Sequence, residues 1–460
     1  MYLLGIIKEY SSLILAIGIV GYFIYSRHKM QVREKDILRT RELQTGLLNE
    51  RAFIDALNSL TQKQQLEKYA LVYFDIVRFG LINERYGMDI GNIILKEYAR
   101  WLEKLVDKDE ILSRQTGDRF IAAVEKGRLE GFLREIKSHE FDIEHEKRNY
   151  RINVSTRAGV YSVDRAMPGE EIISIAHAAL HYGKTVKKKD VTFMTETLSM
   201  EIKERKRLEN DIPLAMANEE FKVYYQPKVD ITNMRLCGAE ALVRWHKGDQ
   251  IISPGRFIPL LEQNDLMCDM DFYMIRHLCA DLSKWIVKGI VPPTISINFS
   301  RRNFSNENAA DAIDEIVREY HVPKKMIEIE ITETIDEFPI SVLKAFVDRL
   351  HRLGYKVAID DFGSGSSSLS LLREVTFDTL KIDKGFVDRA YAKDLTILNY
   401  IIKMAKALNV DVLAEGVERK EQLDTLKSLG CEVIQGYYFD KPLTKLEFEE
   451  RILIGGYRNE

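Results

Sequence analysis

Cysteine is scarce in this chain: four residues, Cys237, Cys268, Cys279 and Cys431, all in the second half and none in C-x-x-C spacing. That pattern excludes a disulfide framework and reads as buried free thiols in a reducing compartment. An excess of either charge is lacking too. Lys and Arg number 67 against 71 Asp and Glu, and a net charge of −4 leaves no electrostatic footprint for a nucleic-acid polymer. What is present is ordinary globular composition, 45% hydrophobic and 30% charged, over 460 residues. Such a length exceeds one core and points to two or three domains.

The N-terminus differs in kind. Residues 10–25 (YSSLILAIGIVGYFIY) carry no charge, and 1–7 extend the apolar span across Lys8-Glu9. Arg27, His28, Lys29 and Arg33 follow, an arrangement that places the rest of the chain in the cytoplasm by the positive-inside rule. The uncharged core is about 16 residues, against the roughly 20 that cross a bilayer, with flanking apolar residues to make up the difference. The expectation is a single-pass inner-membrane anchor over 1–26, the membrane as a partner, and no extracytoplasmic domain ahead of it. Residues 27–44, charged and free of Gly and Pro, suit a helical stalk. The other reading of the N-terminus is a buried helix.

Between 45 and 195, β-prone runs at 69–74, 120–124 and 154–163 alternate with helical spacing over 92–106 (Ile93, Ile94, Leu95, Tyr98, Trp101, Leu102, Leu105). This is α+β alternation. Thr45-Gly46-Leu47-Leu48-Asn49, Phe74-Asp75-Ile76, Ile82-Asn83-Glu84-Arg85-Tyr86-Gly87 and Thr116-Gly117-Asp118-Arg119-Phe120 together resemble the GGDEF family of diguanylate cyclases. It is a degenerate version. Asp75, Asn83 and Asp118 match the family's metal- and GTP-binding positions. Val77 replaces the second acid of a D-x-D pair, Asn92 replaces an Asp, Thr116 stands for the signature's first Gly, and Arg119 stands for its essential Glu. Gly183-Lys184-Thr185 through Lys189 replaces the closing pattern. Two metal ions facing a triphosphate need the missing acids. The resemblance therefore implies no cyclase, and leaves two roles open: a structural or dimerising module, and a GTP-binding regulator.

A charged helical stretch over 196–219, with Asn210-Asp211-Ile212-Pro213 as a boundary signal, links the halves. Beyond it, β-prone runs recur at 223–226, 236–242, 294–298, 327–330, 357–361, 379–383, 410–415 and 433–435, with helices between. Eight such runs predict a (β/α)8-type barrel, whose catalytic groups gather at the carboxyl ends of the strands.

The residues closing those runs form one chemical set: Glu240, Asn298, Glu330, Asp360, Asp361, Lys381, Glu415 and Gln435. The sharpest case is Val357-Ala358-Ile359 running into Asp360-Asp361-Phe362-Gly363-Ser364-Gly365. Taken singly, each acid is more simply a cap or a surface charge. Five carboxylates, two amides and a lysine at one barrel mouth require cations to coexist. Oxygen ligands without His or Cys select Mg²⁺ or Mn²⁺ over zinc, and such a site hydrolyses a phosphate ester. Lys381 would orient the attacking water, take its proton, or offset charge.

Glu240-Ala241-Leu242 with Val243-Arg244-Trp245, Tyr225-Gln226-Pro227, Asn298-Phe299-Ser300, Glu330-Ile331-Thr332-Glu333, Asp360-Asp361-Phe362-Gly363, Lys381-Ile382-Asp383, Ala414-Glu415-Gly416 and Gln435-Gly436 resemble the EAL family of cyclic di-GMP phosphodiesterases in order and spacing. The resemblance implies two Mg²⁺ or Mn²⁺ ions, cyclic di-GMP as substrate and a homodimer. Glu240, Asn298, Glu330 and Asp360 match the ligands of the first ion, and Asp360, Asp361 and Glu415 the surroundings of a second. Lys381 matches the catalytic lysine, with Gln435 beside it. Gln226, Leu242, Arg244 and Asp383 match substrate contacts, and Glu333 the residue that holds the loop after Asp361. Ser366 stands in that loop where an aromatic is usual.

The expected fold class is therefore α/β: an N-terminal membrane helix, an α+β nucleotidyl-cyclase-like GGDEF domain over 45–195, a helical linker over 196–219 and an EAL (β/α)8-type barrel over 220–455. The expected activity is hydrolysis of cyclic di-GMP to pGpG, with the GGDEF-like half as regulator. The alternative is a membrane-anchored receptor that binds cyclic di-GMP without cleaving it. A bifunctional cyclase and phosphodiesterase is opposed by Arg119 and Val77.

Overall fold

The computed structural model describes residues 22, 25–29, 39–333, 339–363, 368–388 and 392–457. Among them no helix is long and apolar enough to cross a membrane. This corrects the expected single-pass anchor, and the inner-membrane placement and membrane partner fall with it. An uncharged run of about 16 residues stops short of the roughly 20 that a bilayer core requires. Much of the segment read as anchor and stalk, 1–21 and 30–38, lies outside the described residues. The chain divides into two compact units, Met1–Glu204 and Arg205–Glu460.

The first unit is built on strands β1 (Tyr69–Ile76), β2 (Ile111–Arg114), β3 (Arg119–Glu125), β4 (Ser138–His145), β5 (Arg148–Ser162) and β6 (Val191–Phe193). They form a sheet in the order β2-β3-β1-β5-β4, with β6 paired to β5. Every residue of β1 is buried, because the sheet is covered on both faces. Val72 and Phe74 pack with Ile94 and Tyr98 of the helix Met88–Leu105. Leu71 and Tyr73 pack with Phe53, Ile172 and Ala176 on the other side. Period-2 alternation along an apolar strand requires that split.

The chain leaves the first unit within the helix Glu196–Ala217. Pro213, read from sequence as a boundary, lies inside this helix, near its C-terminal end, where its missing N–H forfeits one i→i−4 hydrogen bond.

The second unit is a closed barrel. Its strands are β7 (Phe221–Asp230), β8 (Arg235–Lys247), β10 (Thr294–Asn298), β11 (Ile327–Thr332), β12 (Lys356–Phe362), β13 (Thr379–Ile382), β14 (Asp411–Ala414) and β15 (Val433–Gln435), while β9 (Gln250–Ile252) extends β8 as a hairpin. The order β8-β10-β11-β12-β13-β14-β15-β7 closes through β7–β8 pairing. All neighbours are parallel except β7, which runs against both β8 and β15. No helix intervenes between β7 and β8, a departure from strict β/α repetition with a local cause. Asp230 Oδ1 accepts hydrogen bonds from Thr232 N at 2.9 Å and Thr232 Oγ1 at 2.6 Å, folding the chain into a tight turn. The inverted first strand puts Gln226 opposite Glu240 and Lys228 opposite Gln435.

Candidate active site

Register alone assembles much of the site. Parallel pairing sets Asn298 beside Glu330 and Thr332 beside Asp360. The β12–β13 pairing shifts between Ile359 and Phe362, and Asp361 adopts φ of +56° at that irregularity. Aspartate tolerates the left-handed region, so two consecutive carboxylates can leave the strand in different directions.

Lys381 is fully buried at the centre. Its Nζ lies 2.6 Å from Glu330 Oε2, 2.7 Å from Glu415 Oε1, 3.1 Å from Asp360 Oδ1 and 3.4 Å from Glu240 Oε2. Burial pulls the ammonium toward neutrality, but Glu240, Glu330, Asp360 and Glu415 outweigh it and hold Lys381 well above the usual lysine range. One lysine cannot balance four acids. Burial and mutual repulsion push Glu240 and Asp360 up, and burial pushes Glu415 up to about 8.

Two sets of carboxylate oxygens lie within 4.8 Å of one another, Glu240 with Glu330 and Asp360, and Asp360 with Asp361 and Glu415. Asn298 Nδ2 donates to Glu240 Oε1 at 2.7 Å, and Gln435 Nε2 donates to Glu240 Oε2 at 2.6 Å. Gln435 Oε1 is buried without a hydrogen bond, and Glu415 Oε1 is held by the Lys381 ion pair alone. Excess oxygen donors, uncompensated charge and unfilled acceptors are what hard divalent cations would relieve, so the residues fit the metal ions that the resemblance implies.

Beneath this ring lies a second charged layer that sequence reasoning missed. Lys228 Nζ donates to Ser296 Oγ at 2.6 Å, to Glu330 Oε1 at 3.0 Å and to Glu328 Oε2 at 3.3 Å, and Thr379 Oγ1 donates to Glu328 Oε1 at 2.6 Å. Lys228 and Lys381 therefore share Glu330. Burial disfavours the Glu330 carboxylate, but the two lysines hold its pKa down at about 2. The missed signal was periodicity: Ser296 and Glu328 lie two residues before Asn298 and Glu330, and Lys228, on the inverted strand, lies two residues after Gln226; strand alternation puts i and i+2 on one face.

The remaining expected residues are placed as follows. Gln226 Oε1 accepts from Gln435 Nε2 at 3.3 Å. Leu242 and Arg244 line a cleft of about 490 Å³ with Asn298, Arg301 and Asp271. Arg244 donates to Val243 O at 2.8 Å and lies over the Tyr224 ring. Asp383 accepts from Gly385 N at 2.8 Å, and its charge, after burial, raises the Asp361 carboxyl. Glu333 Oε2 accepts from Gly363 N at 2.6 Å, and Glu333 N donates to Asp360 O at 3.0 Å. Ser366 lies outside the described residues. Asp271, also missed, is buried behind the cleft, where it accepts from Ser300 N and Asn303 Nδ2, each at 2.7 Å.

In the first unit, Asp75 is buried and its Oδ2 lies 2.8 Å from Lys184 Nζ. Thr116 and Gly117 form an exposed turn in which Gly117 O accepts from the Arg114 guanidinium, and Asp118 follows, its carboxyl raised by burial and by Asp75. Arg119 is exposed and stands opposite Asp75 across the β1–β3 ladder. Asn83 packs on the helix at Gly91, where a Cβ would meet its Oδ1 at 1.9 Å. Asp75 and Arg119 are brought together, while Asn83 lies on the following helix against Gly91.

Comparison with known proteins agrees with this architecture. The model of the EAL domain matches residues 209–442, and that of the diguanylate cyclase GGDEF domain matches 43–190. The chain is 30% identical over 445 residues to the signaling protein YkoW of Bacillus subtilis, covering 92% of this chain and 54% of that protein. It is 28% identical over 415 residues to the cyclic di-GMP phosphodiesterase NbdA of Pseudomonas aeruginosa, covering 88% of this chain and 53% of that one. The chain thus spans about half the length of these curated relatives. Among solved structures, the PaMucR phosphodiesterase in complex with c-di-GMP is similar with a TM-score of 0.50 and 29% identity, over 53% of this chain and 99% of that one. The chain belongs to the EAL family, and carries a GGDEF-family domain ahead of its barrel.

Proposed function

We propose that the barrel hydrolyses cyclic di-GMP to the linear dinucleotide pGpG, and that the first unit regulates this activity without making cyclic di-GMP. The carrying observation is the ring of acids about Lys381 at the carboxyl ends of the strands, with Asp360 shared between two oxygen clusters. Glu240, Asn298, Glu330 and Asp360 would hold one Mg²⁺ or Mn²⁺ ion, and Asp360, Asp361 and Glu415 a second. Such a pair of ions polarises a phosphoryl group and lowers the pKa of the attacking water.

The chain's own residues supply the rest. Lys381, at the centre of the acids, would orient the attacking water, take its proton, or offset charge in this reading. Gln435 and Asn298 clamp the two oxygens of Glu240 and keep it in one orientation. Arg244 offers a charge-assisted bond to phosphate, with Gln226, Leu242 and Asp383 around the dinucleotide. Glu333 restrains the backbone at Gly363, immediately after the paired aspartates. The relatives named as phosphodiesterases point the same way. GTP is the proposed ligand of the first unit, and a homodimer the proposed assembly.

Incubating the purified chain with cyclic di-GMP and Mn²⁺, with and without GTP, and resolving the products by chromatography tests this reading. Appearance of pGpG is the expected result. Tight retention of intact cyclic di-GMP would identify a receptor and overturn the hydrolase.

A further inference from the structure

An ammonium has three donors, and what Lys228 does follows from where its three go. They reach Ser296 Oγ at 2.6 Å, Glu330 Oε1 at 3.0 Å and Glu328 Oε2 at 3.3 Å, which leaves the head group no freedom to turn. Nζ lies nearer to Glu330 than to Glu328, so balancing the charge of Glu328 does not by itself account for its placement.

The strand that carries Lys228 is built for this reach. Because β7 is inverted, its residues after Gln226 descend into the barrel, and Lys228 stands opposite Gly238 on β8 and Gln435 on β15. A Cβ on Gly238 would stand 3.3 Å from Lys228 Cδ and 3.0 Å from Thr294 O, so the lysine stem lies in the space left by the missing side chain. Beneath the layer, at the amino ends of the strands, opens a cavity of about 580 Å³ lined by Lys228, Glu328, Thr379, Lys356 and Asp411. Close packing does not continue there, so polar contacts have to fix the layer from below.

The acids of the ring differ in how they are oriented. Both oxygens of Glu240 are clamped by amides, from Asn298 and Gln435. Glu330 is held by lysines instead, Oε2 by Lys381 at 2.6 Å and Oε1 by Lys228. Lys381 divides itself among four acids of the ring, whereas Lys228 pairs with Glu330 alone of them among the described residues.

We propose that Lys228 is a positioning residue for the first cation site: by fixing Glu330 Oε1 from below it keeps Oε2 turned to the mouth and sets the affinity of that site for a divalent cation. Lys228 acts through Glu330, and the proposal rests on the reading of Glu330 as an ion ligand. Calorimetric titration of the full chain with Mn²⁺ alone tests it. Lys228→Met is expected to raise the Mn²⁺ Kd by about tenfold or more, the scale on which partners of metal ligands act. In turnover the Mn²⁺ concentration for half-maximal rate should rise in parallel, while KM for cyclic di-GMP stays within about twofold of wild type, since the lysine does not touch substrate. Glu328→Gln is the control. It disturbs the same buried layer but leaves Lys228 bonded to Glu330, so stability falls while the Mn²⁺ Kd stays within about threefold of wild type. If Lys228→Met does not fold, Lys228→Gln, which removes the charge and keeps an amide donor, carries the same titration.

An unchanged Mn²⁺ Kd in a folded Lys228 variant would overturn the positioning role and leave the ion site standing. An equal rise in Glu328→Gln would show a general disturbance of the layer and overturn it as well. Mn²⁺ binding by the wild type without formation of pGpG would overturn the hydrolase reading, and the Kd comparison would still decide the role of Lys228. Absence of Mn²⁺ binding by the wild type would overturn both.

Discussion

Glu330 gives one oxygen to Lys381 and the other to Lys228, and this division determines what each lysine is worth. Removing Lys228 leaves Glu328 and Glu330 as buried carboxylates short of a counter-ion, and breaking a buried pair from one side costs about 3–5 kcal/mol. Lys228→Met is therefore expected to lower stability to urea at pH 7 by that amount; a loss under about 1 kcal/mol would show the layer to be incidental. Glu240→Ala has the opposite signature. It removes one of four mutually repelling acids, so the fold survives, while turnover of cyclic di-GMP falls by more than about a hundredfold, the upper end of losses seen for groups one step further from a metal. Turnover at the wild-type rate would contradict the site assignment.

Asp271 carries a pH prediction. Burial raises its carboxyl to about 8, against the opposing hydrogen bonds from Ser300 and Asn303. A carboxyl whose folded pKa lies above its unfolded value contributes stability fully below about 4, and loses it as pH rises toward about 8. Asp271→Asn has no such proton to lose, so its stability relative to wild type should improve between pH 5 and pH 8.5 in urea denaturation. A gap that stays constant over that range would show that the two donors hold Asp271 ionised. Each residue that closes a β-prone run was legible in sequence, since a charge ending an apolar run is conspicuous. Lys228 and Asp271 were not, because a lone charge inside a strand or helix is ordinarily read as solvated until its neighbours are known.

At the scale of elements, β14 leads into Glu415-Gly416 and β15 closes on Gln435 with Gly436 next, and their tips must approach closely for both side chains to enter the mouth. A Cβ on Gly436 would stand 2.0 Å from Val417 O and 2.4 Å from Val417 N. Both are backbone atoms, so no rotamer change relieves the clash. Gly436→Ala is expected to force the tips apart, costing about 1–3 kcal/mol, the range for overpacking a well-packed site. It should also slow cyclic di-GMP turnover by about tenfold or more through misplacement of Glu415 and Gln435. A variant with wild-type kinetics would show that the tips have slack. The strands themselves were legible because buried barrel strands are short, apolar and bounded by polar residues. The inverted β7 was not. Its direction is set by the Asp230 turn and by pairing with β15, a contact about 200 residues away in sequence that local pattern does not encode.

For the whole molecule, the two units differ in what divalent cations do to them. The barrel mouth holds five carboxylates, Glu240, Glu330, Asp360, Asp361 and Glu415, about one lysine, whereas in the first unit Asp75 is already paired with Lys184. A ligand that binds only the folded state raises stability by about 2.7 kcal/mol at a hundredfold excess over its Kd. Two units with separate cores unfold as two transitions, so the effect can be assigned. Scanning calorimetry with Mn²⁺ is expected to move one transition upward and leave the other in place. Glu240→Ala should abolish the shift, which identifies the moving transition as the barrel. EDTA should reverse it and stop hydrolysis. A shift of both transitions, or one that persists in Glu240→Ala, would mean that Mn²⁺ acts outside the acid ring, and the two-ion reading of the mouth would fall with it.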